Sequence, residues 1–399
     1  MPLEVWLYGT QVGTLDGSSW RDFDFRASDE GAARFGVLST VLSEAVPLAV
    51  RAPRGQAARR RNFFHELLPE GATRSALARQ ARVDEADTLG LLRRYGRDVA
   101  GALEVFDPDD PWEPPTPSLR PLDDSAVRRL AEMSSTEPLG NDPGEGRISL
   151  GGVQLKLALT RSGNQWCQPL GGLASTHILK QPSARHTTMI FDEEFGARLA
   201  RGLGLLDYDV HVDDFNGLPM LVVERYDRAL GRRLHQEDMN QALGLSGSQK
   251  YQRYGGGAKL SRIAQVIAWQ GRADGVALLR LVTFAAGLGN LDLHAKNISL
   301  LHMPDGTTRL APAYDNVPLL HQPTDGELAM AVDDVYRLAD LHADSLVREG
   351  AAWGLGDQST VVSDVLTQMR QGVDQNEPLP GAFPGLRESI ADNIDRLLS

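Results

Sequence analysis

Asp292-Leu-His-Ala-Lys-Asn297, followed a short stretch later by Ala311-Pro-Ala-Tyr-Asp315, is the part of this chain whose reading decides the fold. It sets out a carboxylate, a side-chain amide five residues on, and then a second carboxylate beyond a hairpin-like stretch. Phosphoryl transfer asks for such a set: one Asp to orient the attacking hydroxyl, and an Asn with a second Asp to hold Mg²⁺ against the phosphates. Asp292, Asn297 and Asp315 fit those roles. An Asp-x-x-x-x-Asn hexapeptide is common by chance, and a capped loop whose Asp and Asn bond local backbone donors is the competing reading. The decision therefore falls to what accompanies it.

Ser175-Thr-His-Ile-Leu-Lys180 reads as a short apolar strand ending in a lysine. After it, Phe191 to Gly204 carries apolar residues at 195, 199 and 203, the spacing of an amphipathic helix that starts near Asp192 and stops at Gly204. A strand lysine paired with a helix glutamate aims a cation at nucleotide phosphates in protein kinases. Glu194 is the expected partner of Lys180, with Glu193 the alternative. Upstream, Arg147-Ile-Ser-Leu-Gly-Gly-Val-Gln-Leu-Lys156 is neither a Walker A loop nor G-x-G-x-x-G, and a Gly-Gly hairpin turn explains it equally well. Its place before Lys180 is where a kinase fold puts a phosphate loop, whose glycines let backbone N–H groups approach phosphate oxygens.

Together these strings resemble the HipA family of serine/threonine kinases, toxins of bacterial toxin–antitoxin pairs. Arg147–Lys156, Thr176–Lys180, Val223-Glu-Arg-Tyr-Asp-Arg228, Leu234-His-Gln-Glu-Asp238, Gly289–Asn297 and Leu310–Asp315 carry the likeness in order and spacing. Phe63-Phe-His-Glu-Leu-Leu-Pro69 and Gly96-Arg-Asp-Val-Ala-Gly-Ala-Leu103 extend it over nearly the whole chain. The resemblance implies an α+β, two-lobed protein-kinase-like fold with an N-terminal α+β subdomain. It implies Asp292 as catalytic base, Asn297 and Asp315 as Mg²⁺ ligands, Lys180 on the ATP phosphates, and Gly151, Gly152, Val153, Gln154 and Lys156 in the phosphate loop. The strand Leu218–Glu224 leads into a hinge from Glu224 to Tyr226 whose backbone meets adenine, and His294, Lys296 and Tyr314 complete the nucleotide contacts. Ser149 matches the serine that such kinases phosphorylate on themselves. The implied partners are a small helix-turn-helix antitoxin of HipB type, operator DNA reached only through it, and a protein substrate in translation such as an aminoacyl-tRNA synthetase. Leu291 and Leu293 depart from the smaller or polar residues usual beside the catalytic Asp, and Asn316 to His321 carries no evident phosphorylatable switch.

Composition bounds the alternatives. The 399 residues are 42% hydrophobic, enough for two or three cores. Against 53 acidic residues stand 41 basic ones, a net charge of −12 that opposes binding a phosphate backbone unaided. Arg59-Arg-Arg61 is the local exception and reads as a solvated helix start. The single cysteine, Cys167, excludes an intramolecular disulfide and fits a reducing cytoplasm, as a buried thiol beside Trp166. Met1 to Trp6 lacks the form of a signal peptide, and no segment supplies the ~18 apolar residues of a membrane span, so no membrane role is expected.

Along the chain, Leu3 to Leu15 predicts a strand pair turning near Gly9, with helices over 31–42 and 62–82. Five prolines between Asp107 and Pro117 predict an extended linker. The expected division is an N-terminal subdomain over 1–108, a linker over 109–122, a strand-rich lobe over 123–226 with a helix at Asp123–Met133, and a helical lobe over 227–399. Val276 to Leu288 is nearly apolar all round and predicts the buried helix that delivers the catalytic loop. Gly255-Gly-Gly257 follows no strand and reads as a flexible connection. Two other functions fit the same chain: a co-repressor scaffold bound to the antitoxin, and a small-molecule kinase, since fold alone does not fix function.

Overall fold

Alternation places Leu3, Val5 and Leu7 on one face, and this face zips β1 (Leu3–Leu7) onto β2 (Thr10–Asp16). Tyr8 and Gly9 both have positive φ, the two-residue turn that matches strand twist. The computed structural model that carries these features describes the chain except residues 1, 18, 20, 111–115, 143, 152–153, 184–185, 229–230, 254 and 269–270. β3 (Asp24–Ala27), α1 (Asp29–Phe35), α2 (Ala57–Glu66), α3 (Gly71–Ala81), α4 (Thr88–Tyr95) and β4 (Leu103–Phe106) complete a first unit, with sheet order β3-β2-β1-β4. Phe63, Phe64, Leu91 and Tyr95 are wholly buried in its core. Both helices expected here are shorter than read. α1 stops at Gly36, whose φ of +100° leaves the helical region, and the 62–82 stretch breaks at Leu67-Leu68-Pro69, because the residue before proline is pushed out of the helical region. Arg59 to Arg61 is solvated only in part, with Arg59 exposed and Arg61 half-buried. Arg60 is buried with its guanidinium on both oxygens of Asp24 (2.7 and 2.8 Å), Arg61 reaches the Phe23 carbonyl, and Arg59 reaches the Leu243 carbonyl of the far lobe.

The next unit is a six-stranded antiparallel sheet ordered β5-β7-β6-β8-β10-β9. Its strands are β5 (Ser118–Leu122), β6 (Lys156–Ser162), β7 (Gln165–Leu170), β8 (His177–Lys180), β9 (Val210–Asp214) and β10 (Pro219–Glu224). The proline-rich stretch thus ends earlier than expected, since 118–122 pairs with β7 as an edge strand; an edge accommodates Pro121 because one row of amides there needs no partner. Two helices belong to this unit. α5 (Asp124–Glu132) is capped by Asp123, whose side chain accepts from the Ala126 amide, and α6 (Met189–Gly202) packs beside β9 and β10. Cys167 lies buried in β7, and burial pushes its thiol pKa up.

The last unit holds α7 (Met239–Ala242), α8 (Leu260–Ala268), α9 (Arg272–Leu288), α10 (Ala343–Ala352), α11 (Ser359–Gln375) and α12 (Leu386–Leu398). It is less purely helical than expected, because β11 (His235–Asp238), β12 (Ser299–His302) and β13 (Thr308–Leu310) form one small sheet, and β14 (Glu327–Val332) with β15 (Val335–Arg337) another. α9 is the apolar helix the sequence predicts; Leu278, Leu279, Phe284 and Leu288 are buried, and the helix packs against α10, α11 and α12. Gly289 ends it at φ +71°, where a Cβ would sit 2.3 Å from Leu320, so only glycine turns the chain here into Asn290 and the Asp292 loop. No described helix is long and apolar enough to cross a membrane.

Candidate active site

The three units meet around a cleft of about 430 Å³. Ile178, Val210 and Val223 of the six-stranded sheet, with Tyr208, Tyr226 and Tyr314, give it an apolar and aromatic wall, and Glu224 to Asp227 forms its inner edge. The tyrosine rings lie in series, Tyr208 to Tyr226 at 5.6 Å and Tyr226 to Tyr314 at 5.7 Å between centroids.

Opposite that wall, backbone and amide bonds fix the loop after α9. Asn290 Oδ1 accepts from the Asp292 amide (3.1 Å) while its Nδ2 donates to the Asp315 carbonyl (3.1 Å), so one side chain ties together the two carboxylate-bearing segments. Asn297 Nδ2 donates to the Asp292 carbonyl at 2.9 Å, which points the amide oxygen the other way. The Tyr314 hydroxyl donates to the Lys296 carbonyl (2.7 Å) and lies 2.6 Å from Ser299 Oγ. Asp315 itself has φ +56°, a conformation Asp tolerates better than most residues.

Charge in the cleft converges on Lys180. Its Nζ lies 2.7 Å from Glu193 Oε1 and 2.5 Å from Asp315 Oδ1, and the lysine is buried. Lys180 holds the Asp315 carboxyl below the usual carboxylate range, and although burial works against the ammonium, Asp315 and Glu193 together raise its pKa. The partner on α6 is therefore Glu193 and not Glu194, which pairs with Arg198 one turn on at 2.8 Å. Met189, Glu193 and Ala197 recur every fourth residue along the stripe that faces the cleft, and Glu194 is rotated about 100° off it. Asp292 is open to the cleft, yet the surrounding walls withhold enough water to push its pKa up to about 6; a hydrogen bond from Tyr251 works against this, and the Asp315 charge adds to it.

Of the other residues the sequence points to, Gly151 and Gln154 line the cleft, Lys156 Nζ donates to the Gly151 carbonyl, and Gly152 and Val153 lie outside the described residues. Burial, and then the Lys180 charge, pushes Lys156 down to about 8. His294 lines the cleft edge-on to Tyr251 at 5.2 Å, and burial pushes it down to about 4. Lys296 also reaches the cleft, but its ammonium is held by Glu66 and Glu70, each at 2.8 Å. Ser149 is wholly buried, with its hydroxyl donating to the Leu67 carbonyl at 3.1 Å.

Several cleft residues had no site role assigned from the sequence, although Asp238 ends one of the strings that carry the family likeness. Glu66, Leu67 and Glu70 come from the first unit, and Lys250 pairs with Glu70 at 3.0 Å. Asp238, at the start of α7, is pushed up to about 7 by burial, with Lys296 opposing. Only the Phe63–Pro69 string hinted at the first group, through family likeness.

A buried strand lysine salt-bridged to a helix carboxylate, and two further carboxylates on tied loops, flank a cleft between a sheet lobe and a helical lobe; this is a two-lobed kinase-like fold with an added N-terminal unit. Residues 148–376 match the HipA-like C-terminal domain family and residues 3–106 the HipA N-terminal domain family. The chain belongs to the HipA family of serine/threonine-protein kinase toxins. It is 34% identical over 354 residues to a Sinorhizobium fredii protein named Y4mE, covering 86% of this chain and 83% of that one. It is 31% identical over 334 residues to the serine/threonine-protein kinase toxin HipA of Shewanella oneidensis, 78% of this chain and 75% of that one. The S. oneidensis HipA solved with HipB and its operator DNA superposes with a TM-score of 0.78 at 28% identity, over 99% of this chain and 96% of that one.

Proposed function

We propose that this chain transfers the γ-phosphoryl group of ATP to a serine or threonine of a protein, as the toxin of a toxin–antitoxin pair acting in the cytoplasm. The observation that carries the reading is the Glu193–Lys180–Asp315 bridge, in a cleft whose opposite wall presents Asp292 and Asn297. The cleft suits a nucleotide: Gln154 Nε2, Glu193 Oε2 and His294 Nδ1 are buried there with no hydrogen-bond partner among the described residues. It also suits Mg²⁺, which takes one or two protein oxygens and fills its shell with phosphate and water; Asn297 and Asp315 are that number. When bound, the ion would neutralise charge on the phosphates.

In the proposed reaction the chain's own groups position and hold protons. Lys180, fixed by Glu193, holds the phosphates, with Gly151, Gln154 and Lys156 over them. The backbone from Glu224 to Tyr226 takes the base against the tyrosines, and His294 and Tyr314 bound the rest of the nucleotide. Asp292 accepts the proton of the attacking hydroxyl as its oxygen bonds to the γ-phosphorus and the bond to ADP breaks. The substrate we infer is a component of translation, an aminoacyl-tRNA synthetase being the candidate, and the partner a helix-turn-helix antitoxin of HipB type that carries the chain to operator DNA. The relative solved with HipB and DNA supports that partnership, and it favours a co-repressor role alongside catalysis. Ser149 is the proposed site of self-phosphorylation; its burial means that the 147–149 segment must leave Leu67 first. Phosphoproteomics on cells expressing the wild type and Asp292→Asn tests the reading: sites that appear only with the wild type support it, and identical phosphoproteomes refute it.

A further inference from the structure

One residue of the N-terminal unit touches both edges of the nucleotide cleft without lining it. Asp98 is wholly buried. Its backbone N–H donates to the Arg147 carbonyl (3.1 Å) and its carbonyl accepts from the Ser149 amide (2.9 Å), a two-bond bridge to the chain entering the glycine-rich stretch. Its carboxylate turns the other way: Oδ2 accepts from both the amide (2.8 Å) and the hydroxyl (2.6 Å) of Ser175, and Oδ1 accepts from Arg228 Nη2 at 2.8 Å.

Those partners are bonded to the hinge residue Arg225. Arg225 grips Asp227 with two bonds (3.0 and 2.8 Å), reaches the Ser175 hydroxyl (2.8 Å) and donates its backbone N–H to the Thr176 carbonyl (2.9 Å). Asp227 in turn accepts from the Gly101 amide at 2.7 Å, and Arg228 donates to the Gly101 carbonyl at 2.8 Å. Two carboxylates, Asp98 and Asp227, thus face the guanidinium groups of Arg225 and Arg228, all four almost fully buried, with the more exposed Arg233 a third guanidinium 3.8 Å from Asp98. Apolar packing of similar volume commonly matches or exceeds the stability of such a cluster, so stability alone gives little reason for it. What apolar packing lacks is direction, and each fork here fixes the orientation of a backbone that lines the cleft.

We propose that Asp98 is a positioning residue for the nucleotide site, holding the hinge and the entry to the glycine-rich stretch in register. This rests on the kinase reading above. Its prediction is that nucleotide affinity is set in part from the N-terminal unit, although Asp98 touches no nucleotide. A displacement of about 1 Å between two groups that must act together can cost about a hundredfold. The expected loss on Asp98→Asn is a rise of about tenfold or more in the Kd of Mg·ATP.

The test is calorimetric titration of the full chain with Mg·ATP, with the melting temperature of each variant measured alongside. Ser175→Ala removes the hydroxyl shared by Asp98 and Arg225 while keeping every charge, and should raise Kd several-fold, so the inference is testable even where Asp98→Asn fails to fold. Leu91→Ala, in the core of the N-terminal unit, should lower the melting temperature and leave Kd at the wild-type value. The positioning role is overturned if Ser175→Ala, and Asp98→Asn where it folds, bind Mg·ATP like the wild type, whatever their melting temperatures. A wild type that binds no Mg·ATP would overturn the nucleotide reading itself, a different and distinguishable failure.

Discussion

Acidification is the perturbation that most directly probes Asp292. A base works only when deprotonated, so the rate should fall as pH drops through its pKa, which the cleft holds at about 6. With that value roughly nine-tenths of molecules carry a charged Asp292 at pH 7 and roughly one-tenth at pH 5, so turnover should fall about tenfold between the two. An ordinary aspartate, with a pKa of about 3.9, would leave the rate nearly flat over the same range. Tyr251 hydrogen-bonds the carboxylate and opposes the shift, so Tyr251→Phe should move the acid limb to higher pH. His294 is held near 4 and does not titrate in the window, whereas Asp238, held near 7, does. Asp238→Asn is the control, because Asn also caps a helix start and α7 should survive. The assay is transfer of labelled phosphate at saturating Mg·ATP from pH 5 to pH 8, with melting temperature followed in parallel. A rate that is flat from pH 7 to pH 5, or an acid limb that vanishes in Asp238→Asn, refutes Asp292 as the base.

Three further outcomes are expected. Glu193→Gln should weaken ATP binding by about tenfold or more, because it removes a charge-assisted partner of a buried lysine, while Glu194→Gln should bind ATP like the wild type; equal effects of the two would contradict the assignment. Intact-mass measurement after incubation with Mg·ATP should show slow gain of one phosphate in the wild type and none in Ser149→Ala; a wild type that phosphorylates substrate yet stays unmodified removes the self-inactivation proposal. Gel-shift experiments with the isolated chain should show no specific operator complex, given its net charge of −12, and nanomolar binding by the chain alone would contradict that.

Much of the cleft was legible in the sequence because its residues sit in short strings of fixed spacing. Asp292 and Asn297 share one tight loop, and Lys180 ends a strand, so chain-local geometry carries them to their places. The choice between Glu193 and Glu194 was misread for a local reason too. α6 is buried on most of its circumference, so the apolar positions at 195, 199 and 203 did not reveal that the cleft takes a neighbouring stripe. Contacts of Glu66 with Lys296, or of Asp98 with Arg228, cross 230 and 130 residues of chain and join separate units; no periodicity encodes them. Arg59 to Arg61 shows the same blindness, since a basic run reads as solvated until Asp24 and the Phe23 and Leu243 carbonyls are folded against it.

The hidden position of the Ser149 hydroxyl gives the proposed self-modification a clock. An oxygen bonded to the Leu67 carbonyl, on a segment pinned by Asp98 and by both side-chain bonds of Asn141 to Ile148, cannot meet a phosphoryl donor until that segment swings free. The interval before silencing is then governed by how seldom the segment opens, and each ~1.4 kcal/mol of closing free energy lengthens it tenfold. Losing a single neutral hydrogen bond, worth about 1 kcal/mol, would shorten the interval about fivefold with the chemistry untouched. An active lifetime of this kind can drift through substitutions at Asn141, whose side chain holds the segment without lining the cleft, leaving the catalytic groups as they are.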